Sequence, residues 1–148
     1  LSLMKDALIK YLEDKRPCWF AADVSTQSLR KEGILADGIL QRKELFSLNY
    51  TLNKSQRANL RASFCIHAMT FTGVNLVDGV PNRYKVQNSW GEENGFKGYY
   101  LMSDAWFDEY VYEVFVNKKY LDPEVVEKYE KSTIEKQSPY NTLWIEMK

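Results

Sequence analysis

The chain has one histidine, two cysteines, four prolines and seven glycines in 148 residues, and its 20 Lys plus Arg balance its 20 Asp plus Glu. Each scarcity removes a class of protein. Two cysteines, Cys18 and Cys65, are too few to frame a small disulfide-stapled secreted fold. No run of about 18 apolar residues offers a membrane span, and nothing has the order of a secretory leader. A net charge of zero supplies no polyelectrolyte attraction to nucleic acid or anionic lipid. Lys15, Arg16, Arg30 and Lys31 are the only basic concentration in the first third. The expected setting is reducing and cytoplasmic, with no membrane contact, no nucleic-acid partner, no cofactor and no metal.

What the chain does have is enough apolar material for one domain. Hydrophobic residues make up 45% and aromatics 14%, and a chain of about 150 residues buries roughly 68–70% of its unfolded surface. Met4, Leu8, Tyr11 and Leu12 recur at helical spacing, which predicts an amphipathic helix over 3–14 with Ser2 as its cap and Pro17 beyond its end. Residues 18–24 read as a buried, aromatic-rich strand and 25–50 as irregular, and Asn53 is placed to cap a short helix running to about residue 62. Strands are predicted at 66–74, 83–88, 97–102 and 110–116, with Asp78-Gly79 as a hairpin turn. Ser103-Asp104 precede a short aromatic segment. Trp106, Phe107, Tyr110 and Tyr112 are assigned to packing, and Glu92-Glu93-Asn94-Gly95 to a solvated turn. Asp122-Pro123-Glu124 opens a further helix. Residues 131–148 are expected to form an arm in which Tyr140, Leu143, Trp144 and Ile145 have apolar surface to bury. A helix, mostly antiparallel strands, then a helix and an arm amount to an α+β domain. Because a helical pattern begins at Leu1, the chain is expected to be a piece of something longer.

The chemistry gathers at the one histidine. His67 heads the run His67-Ala68-Met69-Thr70-Phe71-Thr72-Gly73-Val74, and Asn88-Ser89-Trp90-Gly91 follows 21 residues on. An imidazole leading a strand, an asparagine, and an indole two residues further suit a cysteine nucleophile whose general base must be oriented and partly dried. Singly, His67 reads as a satisfied structural residue, Asn88 as a turn residue and Trp90 as core. Their combination favours the catalytic reading.

These residues carry a resemblance. His67-Ala68-Met69 through Asn88-Ser89-Trp90-Gly91, then Lys97-Gly98-Tyr99, Met102-Ser103-Asp104, Trp106-Phe107, Glu109 to Tyr112 and Val116 to Lys119, resembles the C-terminal part of bleomycin hydrolase. The same pattern is similar to the bacterial aminopeptidase C group of papain-like cysteine peptidases. Tyr11-Leu12, Lys15-Arg16-Pro17, Trp19-Phe20 and Asp23-Val24 extend the likeness upstream. The resemblance implies a two-lobed fold in which one lobe brings a cysteine at a helix N-terminus and the other, an antiparallel β-barrel-like (right-hand) lobe with flanking helices, brings histidine and asparagine. This chain is similar to the second lobe, residues 1–130, with the arm at 131–148. Carried over, His67 matches the family's general base and acid, Asn88 the side chain that orients it, and Trp90 the supporting indole beside that contact. A thiol with an ordinary pKa near 8.5 is mostly protonated at neutral pH, and an adjacent imidazolium lowers it. The implied activity is hydrolysis of N-terminal peptide bonds in peptide substrates, and the implied assembly is a homohexamer.

Neither cysteine fits the nucleophile's place. Cys18-Trp19-Phe20-Ala21 superficially matches the family's cysteine neighbourhood, but no glutamine precedes it to supply an oxyanion donor and the following residues read as a strand. It lies 49 residues before His67, whereas the family's nucleophile lies well over a hundred residues upstream. Cys18 is expected in the core. Cys65, two residues before His67, would share its face by strand alternation and is read as packing. The nucleophile is therefore expected on a cysteine-bearing lobe outside this chain. The resemblance implies an arm that runs into the cleft and meets the substrate's amino group with its terminal carboxylate, and the ending Ser138 to Lys148 departs from the family's usual small-residue terminus there. A catalytically silent papain-like binding or scaffolding module is the alternative.

Overall fold

The computed structural model describes residues 1–47 and 51–136; the apolar residues predicted at 140–145 of the arm lie outside the described residues. The elements run α1 (Ser2–Glu13), β1 (Cys18–Ala22), β2 (Ser28–Leu29), β3 (Ile34–Leu35), α2 (Arg42–Phe46), α3 (Lys54–Asn59), β4 (His67–Val77), β5 (Val80–Gln87), β6 (Tyr99–Ser103), α4 (Asp104–Tyr110), β7 (Val111–Phe115), a 3₁₀ turn (Lys118–Tyr120) and α5 (Pro123–Lys131). Seven strands form one sheet in the order β2-β3-β6-β5-β4-β1-β7. All its pairings are antiparallel except β3 with β6, a parallel contact that the sequence did not disclose. None of the described helices is long and apolar enough to cross a membrane.

Local chemistry explains most boundaries. Asn53 caps α3 with a reciprocal capping box through Gln56, Ser103 caps α4, and Asp122 with Pro123 starts α5. Asp78 and Gly79 both take positive φ, +51° and +79°, as a two-residue hairpin turn requires. Four expectations need correction. Ser2 lies inside α1, whose cap position is Leu1, so its hydroxyl caps nothing. The 25–50 stretch contains β2, β3 and α2, elements too short to show a period. The strand at 18–24 stops at Ala22, because Asp23 turns its carboxylate onto Ser25 and Ser63. Cys65 precedes β4, so strand alternation does not pair it with His67.

The core sits between the sheet and α1 and α4. Phe71 stacks on Phe20 at 3.9 Å between centroids and tilts against Tyr84 and Phe107, and Trp106, Leu8, Leu35 and Met102 are among the other fully buried residues. In β4 the inward residues are Met69 and Phe71 and then Val74, since a bulge between Phe71 and Gly73 shifts the inward parity. Lys5 of α1 bridges Asp104 and Asp108 of α4 at 2.8 and 2.7 Å, and the Tyr84 hydroxyl donates to Asp104 at 2.9 Å. Lys54 and Arg57 of α3 donate to the carbonyls of Asp108, Glu109 and Val111, placing cations where α4 leaves its acceptors unsatisfied.

Candidate active site

His67 is the first residue of β4 and pairs with Ala22 of β1. It has the inward parity of Met69 and Phe71, but at the strand's end the core gives way to solvent, and the ring is half-buried. The preceding residue is fixed by the Ile66 amide, which donates to the Ala22 carbonyl at 3.1 Å. Asn88 follows the last residue of β5 with the inward parity of Tyr84 and Val86, and its amide donates to the Gly98 carbonyl at 3.0 Å. Since Thr70 pairs with Gln87, the same antiparallel register brings the start of β4 beside the end of β5. The two residues, distant in sequence, meet because two strands end at the same rim.

The contact is direct. His67 Nε2 lies 2.8 Å from Asn88 Oδ1, and the Ser89 amide donates to the same oxygen at 2.8 Å. The Ser89 amide marks this atom as the carboxamide oxygen, which has no hydrogen to donate, so Nε2 carries the proton and Nδ1 is left without a hydrogen bond among the described residues. Trp90 stacks on the imidazole at 4.4 Å between centroids and 25° between planes, and Tyr100 meets the indole edge-on at 6.2 Å. Stacking excludes water from one side of the His67–Asn88 bond, and a drier hydrogen bond is electrostatically stronger. This arrangement holds an imidazole with one nitrogen occupied and the other presented, the posture of a general base and acid that serves a partner nucleophile.

The two sulfurs lie elsewhere. Cys18 is fully buried and donates to the carbonyls of Trp19 and Phe115 at 3.3 and 3.4 Å. Burial pushes its thiol upward, partly offset by the Phe115 carbonyl contact. Cys65 is half-buried, and burial, followed by the Glu113 charge, pushes it up to about 11, with Lys54 pulling the other way. No hydrogen bond joins either sulfur to His67 among the described residues. A thiol held neutral is a poor nucleophile.

Two features were invisible in the sequence. Asp23, 3% exposed, accepts from Ser25 Oγ and Ser63 Oγ at 2.5 and 2.7 Å, and the Tyr112 hydroxyl donates to Ser63 at 2.8 Å. This chain of hydrogen bonds anchors the segment that leads into His67, and its members sit 40 and 49 residues apart, beyond any local pattern. The second is Arg30, grouped in the sequence with Lys15, Arg16 and Lys31; its guanidinium lies 4.7 Å over the Trp90 ring. Glu92 and Glu93 are solvated as expected, whereas Asn94 and Gly95 are partly buried and bonded to Trp90 and Lys31. Trp106, Phe107 and Tyr110 are core, and Tyr112 serves the Asp23 chain. No group of three or more His, Cys, Asp or Glu side chains able to hold a metal occurs among the described residues.

Comparison with known proteins places this geometry in context. An aminopeptidase C of Lactobacillus delbrueckii subsp. lactis is 39% identical over 143 residues, covering 97% of this chain and 31% of that protein. Human bleomycin hydrolase is 35% identical over 130 residues, covering 85% of this chain and 29% of that enzyme. The solved structure of PepW from Lactobacillus rhamnosis superposes with a TM-score of 0.88 at 41% identity, over 97% of this chain and 32% of that one. The chain thus spans about three tenths of the length of the relatives it matches. The α+β, papain-like fold expected from the sequence is the fold observed. With the model of the peptidase C1-like family matching residues 1–143, the chain belongs to that family.

Proposed function

We propose that this chain is the histidine- and asparagine-bearing lobe, residues 1–130 with an arm at 131–148, of a cytoplasmic cysteine aminopeptidase of bleomycin hydrolase type. Its nucleophilic cysteine belongs to a companion lobe outside the chain, and the assembly is homo-oligomeric, as the hexameric family resemblance implies. The observation that carries this reading is the 2.8 Å contact between His67 Nε2 and Asn88 Oδ1 under a stacked indole, with Nδ1 free of a hydrogen bond among the described residues. In the proposed cycle His67 takes the thiol proton, and the thiolate attacks the scissile carbonyl. The imidazolium then donates its proton to the departing amine, and a water activated by the neutral ring hydrolyses the thioester. Asn88 keeps the ring turned towards the sulfur through these proton transfers. Trp90 keeps water from competing for the Asn88 oxygen.

The test compares the 148-residue chain alone with a protein carrying it beside the cysteine lobe, each with and without His67→Ala. Peptide hydrolysis and labelling by a thiol-directed affinity reagent are expected only in the joined form with His67 intact. Vigorous His67-dependent turnover by the chain alone would return Cys18 or Cys65 to candidacy. No turnover in the joined form would leave a catalytically silent module.

A further inference from the structure

Trp90 has a neighbour other than His67. The Arg30 guanidinium stands over the indole at 4.7 Å, exposed and without an ion pair among the described residues. Its position is fixed by the backbone beneath it. The Tyr100 hydroxyl donates to the Arg30 carbonyl at 2.8 Å, the Gly95 amide to the Lys31 carbonyl at 3.0 Å, and the Leu101 amide to the Gly33 carbonyl at 2.7 Å. Gly33, at φ +72°, runs so close to the neighbouring loop that a Cβ there would fall 2.6 Å from Gly95 Cα. That neighbouring loop also holds Trp90, whose carbonyl accepts from Asn94 Nδ2 at 2.7 Å. Arg30 and Trp90 therefore stand on two turns clamped to each other.

The separations of 4.4 Å from imidazole to indole and 4.7 Å from indole to guanidinium hold the cation no more than ~9 Å from the His67 ring, about three residues of extended chain at ~3.3 Å each. A general acid that protonates a departing amine must face the part of the substrate beyond the scissile bond. An arginine stacked on an aromatic face has one side desolvated and its fork of donors directed outward, which suits a carboxylate. Lys31, Glu32, Glu92, Glu93 and Lys97 share these turns, are all exposed, and none pairs with Arg30. We propose that Arg30 is a specificity-determining residue that favours peptides bearing a carboxylate on the leaving-group side. The carboxylate is either the side chain of a residue just beyond the scissile bond or the C-terminus of a short peptide. The proposal rests on the catalytic role given to His67.

The experiment uses the protein carrying both lobes and three tripeptides that share the first residue. One has glutamine second and an amidated end, one glutamate second and an amidated end, and one glutamine second and a free carboxylate end. The wild type is expected to cleave at least one acidic peptide with a kcat/KM about two- to fivefold above the neutral one, the range of exposed charge pairs, and the faster acidic peptide identifies which carboxylate is read. Arg30→Met should erase the preference and leave the neutral peptide unchanged, Arg30→Lys should keep part of it, and Arg30→Glu should invert it. Added salt should weaken it. Equal rates for all three peptides in the wild type, or an undiminished preference in Arg30→Met, would overturn the proposal. So would an equal loss on all three peptides in Arg30→Met, which would mark a scaffolding residue. Failure of the underlying catalytic reading is separately visible, because His67→Ala would then cleave the neutral peptide at the wild-type rate, overturning both.

Discussion

Replacing Asn88 by alanine isolates the contact on which the site depends. The substitution removes an oxygen that accepts two hydrogen bonds at 2.8 Å, one from the imidazole and one from the Ser89 amide. Ser89 is exposed and its amide can turn to water, so the loss falls on the imidazole, which keeps only its stack on Trp90. A hydrogen bond to a charged group contributes about 1.5–3 kcal/mol. If that energy is expressed in the transition state, kcat/KM falls by about 10- to 150-fold. The loss should appear mainly in kcat, because Asn88 has no assigned contact with substrate. In the 148-residue chain by itself His67 is the only histidine, so its ring protons there give an isolated NMR signal that the indole shifts upfield, and this signal should move towards the free-imidazole position in Asn88→Ala, while kcat/KM is read in the form joined to the cysteine lobe. Asn88→Asp supplies the control: it keeps the acceptor and adds a negative charge, so much of the rate should survive, with the alkaline limb of the pH profile moved to higher pH. A folded Asn88→Ala protein with wild-type kcat/KM, or with an unmoved histidine signal, would refute the orienting role.

Three further outcomes follow from the same geometry. Gly33→Ala forces a Cβ to 2.6 Å from Gly95 Cα and 2.9 Å from the Tyr99 carbonyl at φ +72°; it should cost about 2–4 kcal/mol in urea unfolding, and a smaller loss than 1 kcal/mol would show that the two turns are not clamped. Asp23→Ala strips the acceptor from Ser63, 2% exposed, and from Ser25, and should cost about 2–4 kcal/mol; Asp23→Asn should recover part of it in the same thermal-melt series. Alkylation of the folded chain should separate the cysteines. Cys65, with its thiol pushed up to about 11, should react about tenfold faster for each pH unit up to that region, while Cys18, fully buried, should stay protected. A Cys65 rate that levels off near pH 8.5 would contradict the burial and Glu113 effects assigned to it.

What the sequence made legible divides by distance along the chain. Features written within a few residues were readable: the capped start of α3 at Asn53, the Asp78-Gly79 turn, the Asp122-Pro123 helix start, and the strand that His67 heads. The meeting of His67 and Asn88 was legible from the motif His67 to Asn88-Ser89-Trp90-Gly91 and its resemblance, and it is realised because His67 opens β4 and Asn88 follows β5, the two strands of one hairpin. The bulge beyond Phe71 was hidden, since an extra residue in one strand leaves no signature in that strand's own alternation. The parallel β3–β6 pairing was hidden for another reason: two-residue strands carry no period and are held by their partner. The Asp23–Ser63–Tyr112 chain and the placement of Arg30 over Trp90 depend on closure of the whole sheet. No window of sequence contains them.

The placement of the site follows from how the core is built. From the rim inward β4 presents His67, Met69 and Phe71, and β5 presents Tyr84 and Val86 with Asn88 just past its end, so apolar side chains fill the interior and the polar one of each series reaches the rim. A slip of β5 by one residue against β4 would turn Tyr84, Val86 and Asn88 together to the outer face, and a slip of β4 would do the same to His67, Met69 and Phe71. Burial of those aromatics therefore specifies the register that brings imidazole to carboxamide. The reverse does not hold, because the single hydrogen bond between His67 and Asn88 is too weak to choose the register against exposing the slipped strand's buried ring and its apolar neighbour, each contributing a few kcal/mol. The meeting of imidazole and carboxamide at this rim is inherited from packing. The adjustable elements are the clamped turns that carry Trp90 and Arg30, and substitutions there can alter what lies beside the imidazole while the strands that hold it stay in place.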